Sequence, residues 1–252
     1  MSRVAFIPYP PTAFPFRDLL VLERLPLSAG DRVCEIGVGS GGTTARLAKI
    51  CKEVVGFETS ARAVQALRYL EGLHPNLRFV VADITEPAAC APYAGHFTKL
   101  IACDTLQHVR DPRAFFAGAA ALLERGGHLL VTFRNEPKHE MRGVTRFDDP
   151  RELEDLLAAA GFSEYRVGAT HLSGKTKRVA DVLGFRPSAL APKYLRRKLE
   201  NEDTRQRLAP ALNAYWFGVL RLMESRGPAF DIDWTFEDTQ FTACQVLVLA
   251  RR

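Results

Sequence analysis

From residue 32 onward, short runs of branched and aliphatic residues alternate with longer segments in which apolar residues recur at three- and four-residue steps. The runs at 32–36, 53–58, 77–82, 99–103 and 128–133 each centre on branched, aliphatic or aromatic residues, as strands buried on both faces do. Each is followed by room for a helix, so the pattern predicts five β-α repeats and an α/β fold with a parallel sheet covered on both faces. Asp111-Pro112 and Asp149-Pro150 each place an N-cap acceptor before a proline whose missing N–H costs nothing at the first helical position. Gly126 and Gly161 mark the expected helix ends. Between these signals, Phe115, Phe116, Ala119, Leu122 and Leu123 form one apolar stripe, and Leu153, Leu156, Leu157 and Ala160 another. Packing against a sheet explains both without any chemistry.

Two further strands are expected at 164–169 and 241–249, separated by about 70 residues where a hairpin would need only a few. Within that interval Leu208, Leu212, Tyr215, Trp216, Val219, Leu222 and Met223 keep helical spacing, which predicts a helical insertion. The chain is expected to divide into an N-terminal lid and first helix (1–29), a ligand-binding core (30–170), a helical cap (171–240) and a last strand (241–252).

Candidate chemistry gathers where strands end. The first strand runs into Glu35-Ile36-Gly37-Val38-Gly39-Ser40-Gly41-Gly42, a glycine-rich turn that opens a helix and lets a ligand approach the backbone. Alone, such spacing also fits a dinucleotide site. Glu58 ends the second strand, 17 residues past Gly41, and Asp83 follows the third, so three acids stand at the carboxyl ends of consecutive strands, where open parallel sheets bind ligands.

These motifs, with Ala82-Asp83-Ile84 and the run from Ile101 through Cys103, Asp104, Leu106, Gln107 and His108 to Pro112, resemble those of class I S-adenosylmethionine-dependent methyltransferases, in particular the ubiquinone-methylase type that acts on small molecules. Arg125-Gly126-Gly127 resembles the family's Pro-Gly-Gly turn, with arginine in place of proline. The resemblance covers roughly residues 30 to 135. It implies a Rossmann-like core, which with the strands and the insertion read above gives a seven-stranded, mostly parallel sheet with helices on both faces and a helical cap inserted before the last strand.

The cofactor it implies is S-adenosyl-L-methionine, held by Glu35, Gly37, Gly39, Gly41, Glu58, Asp83, Ile84, Cys103 and Asp104. The glycine loop would pass under the methionine part, Glu58 would bind the ribose, Asp83 would accept the adenine amino group, and Ile84 would pack on the ring. The loop from Cys103 to Leu106 would close over the methionine part. Nothing in that loop serves the second nucleotide of a nicotinamide cofactor.

Methyl transfer from a sulfonium needs alignment and exclusion of water more than a dedicated base. Should the acceptor be a hydroxyl, His108 is the candidate base, and His139 and His171 follow the fifth and sixth strands in regions that border the acceptor pocket in this fold. Aromatic residues outside the motifs, Tyr9, Phe14 and Trp216, are candidates to touch a small, largely apolar or aromatic acceptor.

Composition narrows the picture. With 47% hydrophobic and 25% charged residues, the 252-residue chain reads as an ordinary globular protein. No apolar run approaches the roughly 20 residues of a membrane span, and prolines interrupt the N-terminus, so a cytoplasmic enzyme is expected. The five widely spaced cysteines read as buried thiols, and no two histidines stand at a ligating spacing, so no metal is expected.

The net charge is +5, and between His171 and Arg207 ten Lys and Arg face four Asp and Glu. Such a stretch could draw nucleic acid. Against this, the chain lacks the Asn/Asp-Pro-Pro-Tyr/Phe pattern and the Pro-Cys pair of nucleic-acid methyltransferases. The partner expected is a small-molecule acceptor, with nucleic acid disfavoured and a homodimer left open. A fold that binds the cofactor while directing a non-methylating step such as cyclisation is the remaining alternative.

Overall fold

In the computed structural model, residues 21, 23–39, 41–135, 145–172, 230–233 and 245–252 are described, and the apolar runs become strands of one sheet. These are β1 (Arg32–Ile36), β2 (Glu53–Glu58), β3 (Leu77–Val81), β4 (Phe97–Cys103), β5 (Leu123–Arg134), β6 (Glu164–Leu172), β7 (Phe230–Asp233) and β8 (Gln245–Arg251). Their order is β3-β2-β1-β4-β5-β8-β6-β7. Strands β1 to β5 pair in parallel, and β8 runs antiparallel between β5 and β6.

The seven expected strands are all present in a mostly parallel sheet. An eighth, β7, lies antiparallel on the free edge of β6, inside the segment expected to be a helical cap. At four residues, Phe-Asp-Ile-Asp, it is too short and too acidic to register as a strand from its pattern. The last strand begins at Gln245 rather than 241. Gly126, expected to end a helix, instead has φ 79° within the opening of β5, where the register with β4 shifts between Phe97 and Lys99.

Strand residues alternate between two cores. Cys34, Ile36, Val55, Phe57, Leu100, Ala102, Leu129 and Val131 face one cluster, together with Phe115, Phe116, Ala119, Leu153 and Leu157 of helices α4 (Pro112–Leu122) and α5 (Pro150–Ala159). Val33, Val54, Ile101, Cys103 and Leu130 face the other, with Leu47, Val64, Leu67 and Leu70 of α1 (Gly42–Leu47) and α2 (Ala61–Leu73). A short α3 (Pro87–Cys90) follows β3. The predicted caps form: Asp111 accepts from Ala114 N, and Asp149 and Glu152 make a reciprocal capping box.

At the amino ends of the central strands, buried Lys99 donates from Nζ to His128 Nδ1 at 3.0 Å. Burial holds the imidazole of His128 below its ordinary value, and Lys99 and Arg251 add to this against the opposing pull of Asp31 and Glu164. The unfolded chain therefore binds a proton just below pH 6.5 while folded His128 stays neutral, so this group's contribution to stability is lost as pH falls below that value. Urea denaturation of the unaltered chain and of His128→Gln between pH 7.5 and about pH 5 should give the steeper acid loss in the unaltered chain. Parallel profiles would contradict the assignment.

Candidate functional site

Register between β1 and β4 ends at Glu35 and Ile101. Beyond that point the carboxyl ends of β1 to β4 border a cleft of about 640 Å³. Gly37, Gly39, Glu58, Asp83, Ile84, Asp104 and His108 all line it, so residues from four strand ends that are far apart in sequence meet around one volume.

The glycine turn follows from β1's end. Gly37, Gly39 and Gly41 have φ of 73°, 51° and 72°, left-handed values that side-chain-bearing residues rarely adopt. Their surroundings differ. A Cβ at 37 would collide with the Thr105 side chain, one at 41 would strike Leu70 Cδ1 and Leu67 Cδ2 at 2.8 and 2.9 Å, and one at 39 would meet nothing within 4 Å. Gly41 thus serves the packing of the turn on α2, and Gly39 leaves open space beside the cleft.

Glu58 accepts from Ser60 N at 3.1 Å and Thr59 Oγ1 at 3.4 Å, both on Oε1. Oε2 has no hydrogen-bond partner among the described residues. Asp83 is exposed and folds its own turn, with Oδ1 accepting from Thr85 N at 2.9 Å and Thr85 Oγ1 at 2.7 Å. Ile84 is buried beneath it and lines the cleft. Across the opening, Asp104 is the one non-glycine residue with positive φ among those described, at 50°. Its N–H reaches Thr132 O at 2.8 Å and Thr132 Oγ1 at 3.3 Å, which fastens the loop to β5. His108 is exposed and closes a 3-10 turn, Leu106–His108, that forms the next wall.

Glu35 and Cys103 do not line the cleft. Glu35 is buried, and its Oε2 accepts from Thr44 Oγ1 at 2.6 Å, which ties β1 to α1. Cys103 is buried at the end of β4 on the face of α1 and α2. Among the described residues, Cys34, Cys51, Cys90 and Cys103 are buried thiols. Burial raises the Cys34 and Cys90 thiols, with Cys90 and Glu35 adding to the first and Asp83 to the second, so both stay neutral and poor nucleophiles.

His171 lies in β6, paired with Asp231 of β7. Tyr9, Phe14, His139 and Trp216 lie outside the described residues. Thr59, Thr85 and Glu86 also line the cleft without having been expected there, and Thr105, Val109, Arg110 and Asp111 line it within the run from Ile101 to Pro112 that carries the resemblance. Their adjacency to Glu58, Asp83 and His108 is the signal that could have found them. Among the described residues no group of three or more His, Cys, Asp or Glu could hold a metal, and no helix is long and apolar enough to cross a membrane.

A family model described as a methyltransferase domain matches residues 14–165. The chain is 28% identical over 189 residues to a ubiquinone biosynthesis O-methyltransferase of Ralstonia nicotianae, covering 72% of this chain and 71% of that protein. Matches to ubiquinone biosynthesis O-methyltransferases of other bacteria span as little as 44% of the relative's length, and 66% in the one from Psychrobacter arcticus.

Among solved structures, a SAM-dependent methyltransferase of Thermotoga maritima described as a possible histamine N-methyltransferase superposes with a TM-score of 0.55 at 18% identity, covering 94% of this chain and 88% of that one. A 4+2 cyclase shares the fold with a TM-score of 0.56 at 19% identity, covering 94% and 80%. Since the family match takes in more than half of the chain and contains the whole glycine turn, Glu58, Asp83 and the Asp104 to His108 loop, the chain belongs to the methyltransferase domain family, in its class I S-adenosylmethionine-dependent type.

Proposed function

We propose that the cleft binds S-adenosylmethionine and that the chain directs its methyl group to a small, largely apolar or aromatic metabolite. The observation that carries this reading is the convergence of Gly39, Glu58, Asp83 and Asp104 on one cleft. The residues fit the cofactor. Glu58 keeps a carboxylate oxygen for the paired ribose hydroxyls, Asp83 stands at the next strand end to take the adenine amino group, and buried Ile84 offers an apolar surface to the ring. At Gly39, where a side chain would have entered open space, the backbone admits the methionine part.

When bound, the cofactor supplies a sulfonium methyl group with a neutral leaving group. The chain's share is orientation and exclusion of water. His108, exposed on the wall formed by the 3-10 turn, is the group placed to accept a proton from a hydroxyl acceptor. Tyr9, Phe14, His139 and Trp216 remain proposed contacts on the acceptor side, with the 171–240 segment as its cover. The O-methyltransferase names of the relatives favour a hydroxylated aromatic acceptor. Incubation with S-adenosylmethionine and a panel of such compounds should yield a product heavier by one CH2, and the absence of any methylated product across phenols, amines and carboxylates would count against the reading.

Calorimetric titration should show S-adenosylmethionine and its demethylated product binding, with NAD and NADP silent. Glu58→Ala should weaken donor binding by about 1 to 3 kcal/mol, because the hydroxyl pair loses a charged acceptor. Unchanged affinity would remove Glu58 from the site.

Gly39→Val should abolish donor binding while circular dichroism still reports a folded chain, since the new side chain projects into the space beside the cleft. Binding at the unaltered affinity would show that the ligand does not approach this turn.

A further inference from the structure

Thr105 lies where β1 and β4 have parted. The strands are in register only as far as Glu35 and Ile101, yet Thr105, two residues past the end of β4, reaches back across the gap. Its hydroxyl faces Ile36 O at 3.0 Å and Cys103 O at 3.2 Å. A threonine hydroxyl has one proton, and the shorter contact goes to the last residue of β1. Its Oγ1, Cγ2 and Cβ also fill the space that a Cβ on residue 37 would take. Gly37 and Thr105 are therefore a matched pair, with the missing side chain of one accommodating the side chain of the other.

The consequence falls on the glycine turn. The Gly37 N–H is held by Phe57 O of β2 at 2.8 Å, and the carbonyl of Ile36, on the other side of the same peptide bond, faces the Thr105 hydroxyl. The peptide that begins the turn is thus gripped from β2 and from the β4 loop at once, and it cannot rotate without breaking one of these bonds. On the opposite side, Asp104 is pinned to Thr132 by its N–H. The Thr105 hydroxyl thereby links two left-handed residues, Gly37 and Asp104, that both line the cleft.

We infer that Thr105 is a positioning residue for the donor site, whose hydroxyl, rather than its shape, holds the Ile36-Gly37 peptide in the orientation that the glycine turn needs to receive S-adenosylmethionine. This inference rests on the donor-site reading above. It requires no new ligand and no chemical step.

Two substitutions separate hydroxyl from shape. Thr105→Val keeps the volume beside Gly37 and deletes the donor to Ile36 O, whereas Thr105→Ser keeps the donor and deletes the methyl group. Titration of the full chain with S-adenosylmethionine and with its demethylated product should show at least about tenfold weaker binding of both by Thr105→Val. Thr105→Ser should bind within about threefold of the unaltered chain, even where thermal melting shows that its lost methyl lowers the melting temperature. A purely structural role predicts the reverse, with Val close to the unaltered chain and Ser impaired, or a loss of affinity that tracks melting temperature in both variants; either result overturns the inference. Absence of binding by the unaltered chain would overturn the donor-site reading and this inference together. Equal binding by the unaltered chain and Thr105→Val would overturn this inference alone.

Discussion

Everything around the cleft depends on the parting of β1 from β4. Parallel strands joined by right-handed crossovers must send their helices to one face or the other, and here the helices after β1 and β2 pack on one face while those after β4 and β5 pack on the opposite face. At the boundary the loops leaving β1 and β4 diverge, and no helix can cover the gap between them. The cleft is what that divergence leaves open. Residues of otherwise unrelated local structure, Gly39, Glu58, Asp83 and Asp104, share it because each ends or follows one of the strands β1 to β4, whose carboxyl ends border that gap.

Much of this was legible in the amino-acid sequence because doubly buried strands are written as apolar runs, and because caps such as Asp111-Pro112 and Asp149-Pro150 act through their immediate neighbours. The acids at strand ends were legible for the same reason, since a strand's end fixes where the following residue emerges. Glu35 shows a signal that was available and outweighed. Cys34 and Ile36 face α4 and α5, so a two-residue period turns Glu35 toward α1, where Thr44 meets it, rather than into the cleft.

What could not be read was non-local. The fit of Thr105 beside Gly37 joins residues that are distant in the chain, and neither has a local feature that announces the other. The edge strand β7 owes its existence to the exposed hydrogen-bonding edge of β6 rather than to its own four residues. The three glycines of the turn look interchangeable in sequence, yet one accommodates a threonine, one admits open space and one lies against two leucines of α2.

Asp104 carries a different kind of consequence. It holds a left-handed backbone that glycine would adopt at no steric cost, and it does so on the wall of the cleft, pinned by Thr132. Replacement by glycine would relax the backbone and at the same time take a carboxylate away from a residue that lines the cleft. A left-handed backbone at a side-chain-bearing residue is thus a local steric cost borne on the cleft wall itself.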